Sequence, residues 1–335
     1  MTFRSGADVS SHDHVPVVSA PARGVLLQAP HLDVAYGGAE ANVAVSLAHL
    51  GRNARMVSVV PDNPLGRAAL GELRRYGVDV SGVAAGSGRM GLYFLSPGAG
   101  VRASEITYDR AHSAFASADF AAIDWPAHLN GASVLHVSGV TAAIGRAAAD
   151  GVIRAVTEAR RSGVTVSFDC NYRAKLWDAW KGDAPGVLRE ILSQTDLMFG
   201  DHRDISLVLA KTVAPGRAAA DAAFAAWPNL TRIAHTGRVQ HSVGRHDLSA
   251  AMHTRAGETA APPIAITEIV DRIGGGDAFA AGLIHALMAA KGDEQALRFA
   301  LAAAALKHTI HGDFNLVRED EIEAVAAGAA LDVRR

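Results

Sequence analysis

The segment best suited to chemistry is Asp271-Arg272-Ile273-Gly274-Gly275-Gly276-Asp277-Ala278-Phe279. Three consecutive glycines lead into a helix whose apolar stripe is Phe279, Leu283 and Leu287. Without Cβ atoms, glycines can turn their N–H groups inward. The free N–H groups of a helix N-terminus add partial positive charge. Together they make an anion hole suited to a phosphoryl group. Asp277, in the first turn, would face the reacting atoms and could take a proton. The same carboxylate could simply cap the helix. Three glycines are more than a cap needs, which favours the chemical reading.

Other segments carry weaker signals. Tyr36-Gly37-Gly38-Ala39-Glu40-Ala41-Asn42 opens another glycine-led helix. Its small residues allow close approach of a ligand, and Asn42 could donate to a hydroxyl. Tight packing of helix on sheet would select the same residues. Asp169-Cys170-Asn171-Tyr172-Arg173-Ala174-Lys175-Leu176-Trp177 sets a carboxylate, an amide and two cations after an apolar strand. Arg173 could fork onto a carboxylate or a phosphate. The alternative is a solvated loop with Trp177 tucked into the core. Asp201 and Asp204 stand three apart at a helix start, where they could hold a hydrated Mg²⁺ or act only as caps. Gly86-Ser87-Gly88-Arg89-Met90-Gly91 matches G-x-G-x-x-G, but β-rich residues follow it, so it reads as a loop. No G-x-x-x-x-G-K-[ST] motif is present. The 15 histidines come with no cysteine cluster and no H-E-x-x-H, which argues against a zinc site.

These residues need a framework to position them. Residues 133–138, 164–168 and 197–199 read as short apolar strands. Residues 146–161, 185–194, 202–209 and 217–227 have helical periodicity. Such alternation predicts an α/β fold, a mostly parallel central sheet covered by helices on both faces. Ligands in such sheets sit at the carboxyl ends of strands, where Asp169, Asp201 and Gly237 fall. Val43, Leu47 and Leu50 mark a helix after Gly38, and residues 64–77 a second. Residues 92–96 and 105–108, around Pro97-Gly98-Ala99-Gly100, predict a hairpin outside the main sheet. Residues 278–290, 294–309 and 319–327 make the last quarter helical. Residues 1–23 read as a loose tail with a short strand at 15–18, and residues 24–335 as one domain.

Composition excludes several classes. The 335 residues are 49% hydrophobic and 20% charged, which is globular composition. A net charge of −2 gives no broad attraction for nucleic acid or anionic membrane. No apolar run approaches the roughly 20 residues of a membrane span. The first 23 residues lack the apolar stretch of an export signal. A single cysteine, Cys170, allows no internal disulfide and suits a reducing cytoplasm.

Taken together, the segments resemble the PfkB (ribokinase-like) carbohydrate kinases. Gly37-Gly38-Ala39-Glu40-Ala41-Asn42 matches the family's Gly-Gly-x-x-x-Asn helix, and Gly274-Gly275-Gly276-Asp277 its Gly-x-Gly-Asp helix. The resemblance runs from about Leu26 to the C-terminus. It is strongest to bacterial 2-keto-3-deoxygluconate kinases, through the segments above, Ile106-Thr107-Tyr108-Asp109-Arg110, Ala305-Leu306-Lys307-His308 and Gly312-Asp313-Phe314-Asn315.

That resemblance implies a ribokinase-like domain with a β lid from about 26–36 and 90–112. It implies transfer of the γ-phosphoryl of ATP, with Mg²⁺, to O6 of 2-dehydro-3-deoxy-D-gluconate. Asp277 would be the base and Gly274, Gly275 and Gly276 the anion hole. Arg173, beside Asp169 and Asn171, would bind the substrate carboxylate. Tyr93, Tyr108 and Arg110 would cover the sugar acid, and Gly37, Gly38 and Asn42 would line its other side. Asp201 and Asp204 take the positions of the family's Mg²⁺-associated Asn-x-x-Glu. Thr236, Gly237 and His308 would border the nucleotide. Lid sheets in this family often pair into homo-oligomers. The rival readings are a fructokinase or ribokinase type and a non-catalytic sugar-acid-binding protein. Two departures stand out. Residues 1–23 lack the opening strand's Gly-Asp or Gly-Glu, residues 15–18 being followed by Ser19 and Ala20. Thr236-Gly237-Arg238-Val239-Gln240-His241 also matches the nucleotide-contacting Gly-x-x-Gly poorly.

Overall fold

The computed structural model describes residues 7–11, 15–20 and 24–328. Its strands are β1 (Ala7–Ser11), β2 (Val15–Ser19), β3 (Asp33–Gly37), β4 (Ala54–Pro61), β5 (Asp79–Gly86), β6 (Leu92–Ser96) and β7 (Glu105–Asp109). After them come β8 (Ala132–Ser138), β9 (Thr165–Asp169), β10 (Leu197–Phe199), β11 (Arg232–Ser242), β12 (Arg245–Thr254) and β13 (Glu258–Thr267).

Nine strands form the main sheet in the order β13-β12-β11-β10-β9-β8-β1-β4-β5. From β11 to β5 the neighbours are parallel, and β12 and β13 extend the edge as an antiparallel meander. Strand β8 is buried along nearly its whole length, as expected of a parallel strand covered on both faces. One face packs on the helices Ala39–His49, Gly275–Met288 and Asp293–Lys307. The other packs on Arg146–Arg161, Ala184–Leu192 and Arg217–Ala226. This is the ribokinase-like α/β architecture expected from the alternation of elements.

A second sheet of four strands, β3-β2-β6-β7, stands apart from the first. The expected hairpin is β6 and β7, paired antiparallel from Leu92↔Asp109 to Ser96↔Glu105. Its small core is Val17, Tyr93 and Leu95.

Three expectations about the framework need correction. The first residues are not all a loose tail. Strand β1 lies inside the main sheet, third from the β5 edge, paired with β4 and β8 on its two sides. Its sequence, Ala-Asp-Val-Ser-Ser, has no apolar run. Two backbone ladders make it a strand, and sequence periodicity does not see them. Residues 15–18 are not the opening strand of the main sheet, because β2 belongs to the lid sheet, antiparallel to β3 and parallel to β6. The lid therefore includes β2, while Leu26–Gln28 is a single 3-10 turn. Residues 12–14, between β1 and β2, lie outside the described residues, and with them whatever follows the opening strand. Finally, Gly237 lies in the middle of β11 and not at a strand end.

Candidate active site

Asp277 is the third residue of the helix Gly275–Met288. The chain enters that helix through Gly274, whose φ of +77° is left-handed. A Cβ there would lie 2.1 Å from the Asp313 carbonyl oxygen, so only glycine fits. Asn42, on the helix Ala39–His49, donates from Nδ2 to Asp277 Oδ2 at 2.7 Å. Burial pushes the Asp277 carboxyl up to about 7. Asn42 opposes that rise, and the charges of Asp169 and Asp313 add to it. An acid tuned close to neutral pH suits proton transfer.

Asp169 ends strand β9, at the carboxyl edge of the sheet. Burial and then the nearby charge of Asp204 push it up to about 7, against the pull of Arg173. The next turn is held by Asn171, at φ 35°, a left-handed conformation asparagine tolerates. Its N–H donates to Asp169 Oδ1 at 3.1 Å, and its Nδ2 to Ser138 Oγ at 3.2 Å. Arg173 follows on the surface, its one hydrogen bond among the described residues running from an N–H to the Tyr172 carbonyl at 3.1 Å.

The lid contributes an aromatic wall. Tyr93 and Tyr108 lie with ring centres 6.1 Å apart, and the Arg110 guanidinium sits 4.8 Å from the Tyr108 ring centre. Tyr93 is buried and donates its hydroxyl to both Asp313 oxygens, at 2.9 and 2.8 Å. Asp313 in turn explains Gly37: a Cβ there would lie 2.0 Å from Asp313 Oδ2. Burial raises Asp313 to about 6. The buried Lys307 lies under it, donating to the Ile310 carbonyl at 3.1 Å. Burial lowers the Lys307 amine, while Asp271, Asp313 and Asp277 act to hold its charge. Neither Asp313 nor Lys307 was among the expected site residues. A lysine closing an alanine run and an aspartate after Gly312 were the signals.

Two cavities meet at the glycines. The smaller, of about 280 Å³, is lined by Gly38, Asn42, Tyr93, Tyr108, Arg110, Asp169, Asn171, Arg173, Asp277 and Asp313 together with Gly274, Gly275 and Gly276. The structure thus brings the expected sugar-side residues together, with Gly37 behind Asp313. The larger, of about 690 Å³, is lined by Asp201, Thr236, Gly237 and His308, with Gly275 and Gly276. Arg272, Gly275 and Gly276 border both.

Asp201 and Asp204 form a capping box at the start of the helix His202–Leu209. Asp201 Oδ1 accepts from the Arg203 N–H at 2.7 Å, and the Arg203 guanidinium also grips Asp201. Asp204 Oδ2 accepts from the Asp201 N–H at 2.9 Å. Burial raises the Asp201 carboxyl, but the bonds from Arg203 outweigh it and leave the group lowered. Asp204 is raised, first by burial.

A pocket with a near-neutral acid, an adjoining glycine hole and a wide neighbouring cavity has the shape of a two-substrate transfer site. The pfkB family carbohydrate kinase model matches residues 8–319. The chain belongs to the pfkB family of carbohydrate kinases. It is 33% identical over 311 residues to the 2-dehydro-3-deoxygalactonokinase of Haloferax volcanii, covering 91% of each chain. It is 27% identical over 283 residues to the 2-dehydro-3-deoxygluconokinase of Bacillus subtilis, 83% of this chain and 82% of that one. The crystal structure of 2-dehydro-3-deoxygluconokinase from Thermotoga maritima superimposes with a TM-score of 0.91 at 35% identity. That match covers 98% of this chain and 100% of the other. Within the pfkB kinases, the resemblance to 2-keto-3-deoxygluconate kinases therefore stands. Among the described residues, no helix is long and apolar enough to cross a membrane.

Proposed function

We propose that this carbohydrate kinase transfers the γ-phosphoryl group of ATP to the O6 hydroxyl of 2-dehydro-3-deoxy-D-gluconate. The observation that carries the reading is Asp277, held by Asn42 where the two cavities meet at Gly275 and Gly276. The sugar acid occupies the smaller cavity, its carboxylate toward Arg173 and its hydroxyls toward Asn42, Asp313 and the lid tyrosines. ATP occupies the larger, beside Thr236, Gly237 and His308. Asp277 takes the O6 proton as the oxygen attacks, and the N–H groups of the glycine turn and helix start receive the charge of the moving phosphoryl.

The carboxylates also suit a magnesium ion. Asp169 sits close enough to Asp204 to feel its charge, a stress that a divalent cation relieves. Asp204 is the better candidate to hold hydrated Mg²⁺, because Asp201 is taken up by Arg203. When bound, the ion would neutralise phosphate charge.

The galacto epimer is a second reading, favoured by the Haloferax volcanii relative. One assay separates the readings: the purified enzyme with Mg²⁺ and ATP, against both 2-dehydro-3-deoxy acids, fructose and ribose. ADP release is measured, and the phosphorylated position is read by NMR. The gluco acid should be the best substrate and carry phosphate on O6. Preference for the galacto acid selects the second reading, and preference for fructose or ribose removes the sugar-acid assignment.

A further inference from the structure

Arg272 is the one side chain, among the described residues, that borders both cavities; the other two shared residues are glycines. It stands two residues before Gly274, where the chain turns into the anion hole. Across the larger cavity, strand β11 carries Arg238. Neither guanidinium has a hydrogen bond or ion pair to another described residue. The neighbouring acid on its own segment, Asp271, is engaged by backbone N–H groups. Its oxygens accept from the Ile273 N–H at 3.0 Å and the Gly312 N–H at 3.2 Å.

Asp201 also lines the larger cavity but is gripped by Arg203, and the charges acting on Arg238 and His246 are positive. Burial and then the charge of Arg272 lower Arg238. His246, packed edge-on against His308 at 6.4 Å between ring centres, is lowered by burial, Arg238, His308 and Arg272. Convergent cations without a paired acid among the described residues are unfavourable alone and call for an anion. The site facing them already must take a polyphosphate.

We propose that Arg272 is a catalytic residue that grips the phosphoryl group in transit, and that Arg238 holds the phosphate chain behind it. This rests on the phosphoryl-transfer reading above. In the step, the acceptor oxygen forms a bond to the γ-phosphorus. The bond from that phosphorus to the bridging oxygen breaks, and the electron pair leaves with ADP. The hydroxyl proton passes to Asp277. Charge builds on the equatorial phosphoryl oxygens midway between the cavities, where Arg272 stands. Its planar fork can hold two of those oxygens at once. Arg238 borders only the nucleotide side and meets phosphates that do not move.

The test is a comparison of Arg272→Gln, Arg272→Lys and Arg238→Gln with the wild type, by steady-state kinetics and by titration of ATP and ADP with Mg²⁺. Arg272→Gln should lower kcat by roughly 10²–10³, the worth of a donor aimed at transition-state charge. Its KM for the sugar acid should stay within about threefold, and its preference for ATP over ADP should vanish. Arg272→Lys should recover part of kcat, because charge returns without the fork. Arg238→Gln should weaken ATP and ADP alike by about tenfold, one charged contact in a partly screened site. A kcat within threefold of wild type in Arg272→Gln would overturn the proposal. So would a raised sugar-acid KM at unchanged kcat, which would make Arg272 a ligand of the substrate carboxylate. If the wild type phosphorylates no sugar acid while Arg272→Gln still equalises ATP and ADP, the substrate assignment falls and the clamp stands.

Discussion

The two cavities are built in opposite ways. On the sugar side the polar groups are already bonded to each other: Asn42 to Asp277, Tyr93 to Asp313, and Asn171 to Ser138. On the nucleotide side Asp201 is tied to Arg203, but Arg238, and Arg272 at the border of both cavities, have no hydrogen-bond or ion-pair partner among the described residues. The contrast follows from what each side must do. An acceptor hydroxyl has to sit within a few tenths of an ångström of its line of attack, so its pocket is fixed beforehand. A polyphosphate is flexible and highly charged, and unmatched cations attract it without a rigid mould.

Breaking the fixed side should have the largest effect. Asp277→Asn keeps the shape and the bond to Asn42 but removes the base. Its kcat should fall by roughly 10²–10⁴, the usual worth of acid–base catalysis. Near-normal turnover in rapid-quench or steady-state assays would remove Asp277 from the mechanism.

A smaller effect is expected at the rim of the sugar pocket, where Arg173 is exposed and loosely anchored. Hydrogen bonds to charged groups are worth about 1.5–3 kcal/mol, so losing the carboxylate clamp should cost at least tenfold in sugar-acid KM. Arg173→Ala and Arg173→Lys should both show this, because lysine lacks the planar fork. The KM for ATP should barely move. An unchanged sugar-acid KM in either variant would assign the carboxylate to another residue.

The smallest effect is one of stability, and it opposes activity. Asp169 and Asp277 titrate near 7 and Asp313 near 6, all above the ordinary aspartate value of 3.8. Between about pH 4 and 7 the folded state therefore holds protons that the unfolded chain has released, and stability from these groups is lost as pH rises through that window. The buried histidines act in the other direction; His136, for example, is lowered to about 3 by burial. The difference between Asp277→Asn and wild type isolates one group. Their melting temperatures should coincide near pH 4. At pH 8 the variant should melt about 2 °C or more higher, the shift expected of each kcal/mol in a chain of this size. Wild-type kcat/KM should meanwhile rise through pH 7 as Asp277 ionises. A variant no more stable than wild type at pH 8 would mean that the buried charge carries no strain.

What the sequence revealed divides along similar lines. Gly274, Gly38 and Asp169 were readable because a turn, a helix start or a strand end demands a residue type in a fixed local order. Asp313 and Lys307 were not assigned, because their meaning comes from contact with Gly37, Tyr93 and Gly274, far away along the chain. Strand β12 did alternate between buried and open positions. Its inward residues, however, include His246, which a hydropathy pattern counts as polar, although the ring is fully enclosed. The paired aspartates at 201 and 204 looked alike as ligands or caps. The backbone decides that both cap, and it leaves the role of Asp204 toward an ion as a proposal.

The position of β1 also matters for how the molecule is made. A ribosome delivers this strand before its ladder partners, β4 and β8, and the second partner begins only at Ala132. At 5–20 residues per second, β1 waits on the order of ten seconds before both neighbours exist. Until then its N–H and C=O groups are satisfied by water or by whatever else binds an extended chain. Joining β1 to β8 inside the sheet is thus a late, long-range event, which slows folding and makes chaperone capture of the nascent chain an advantage.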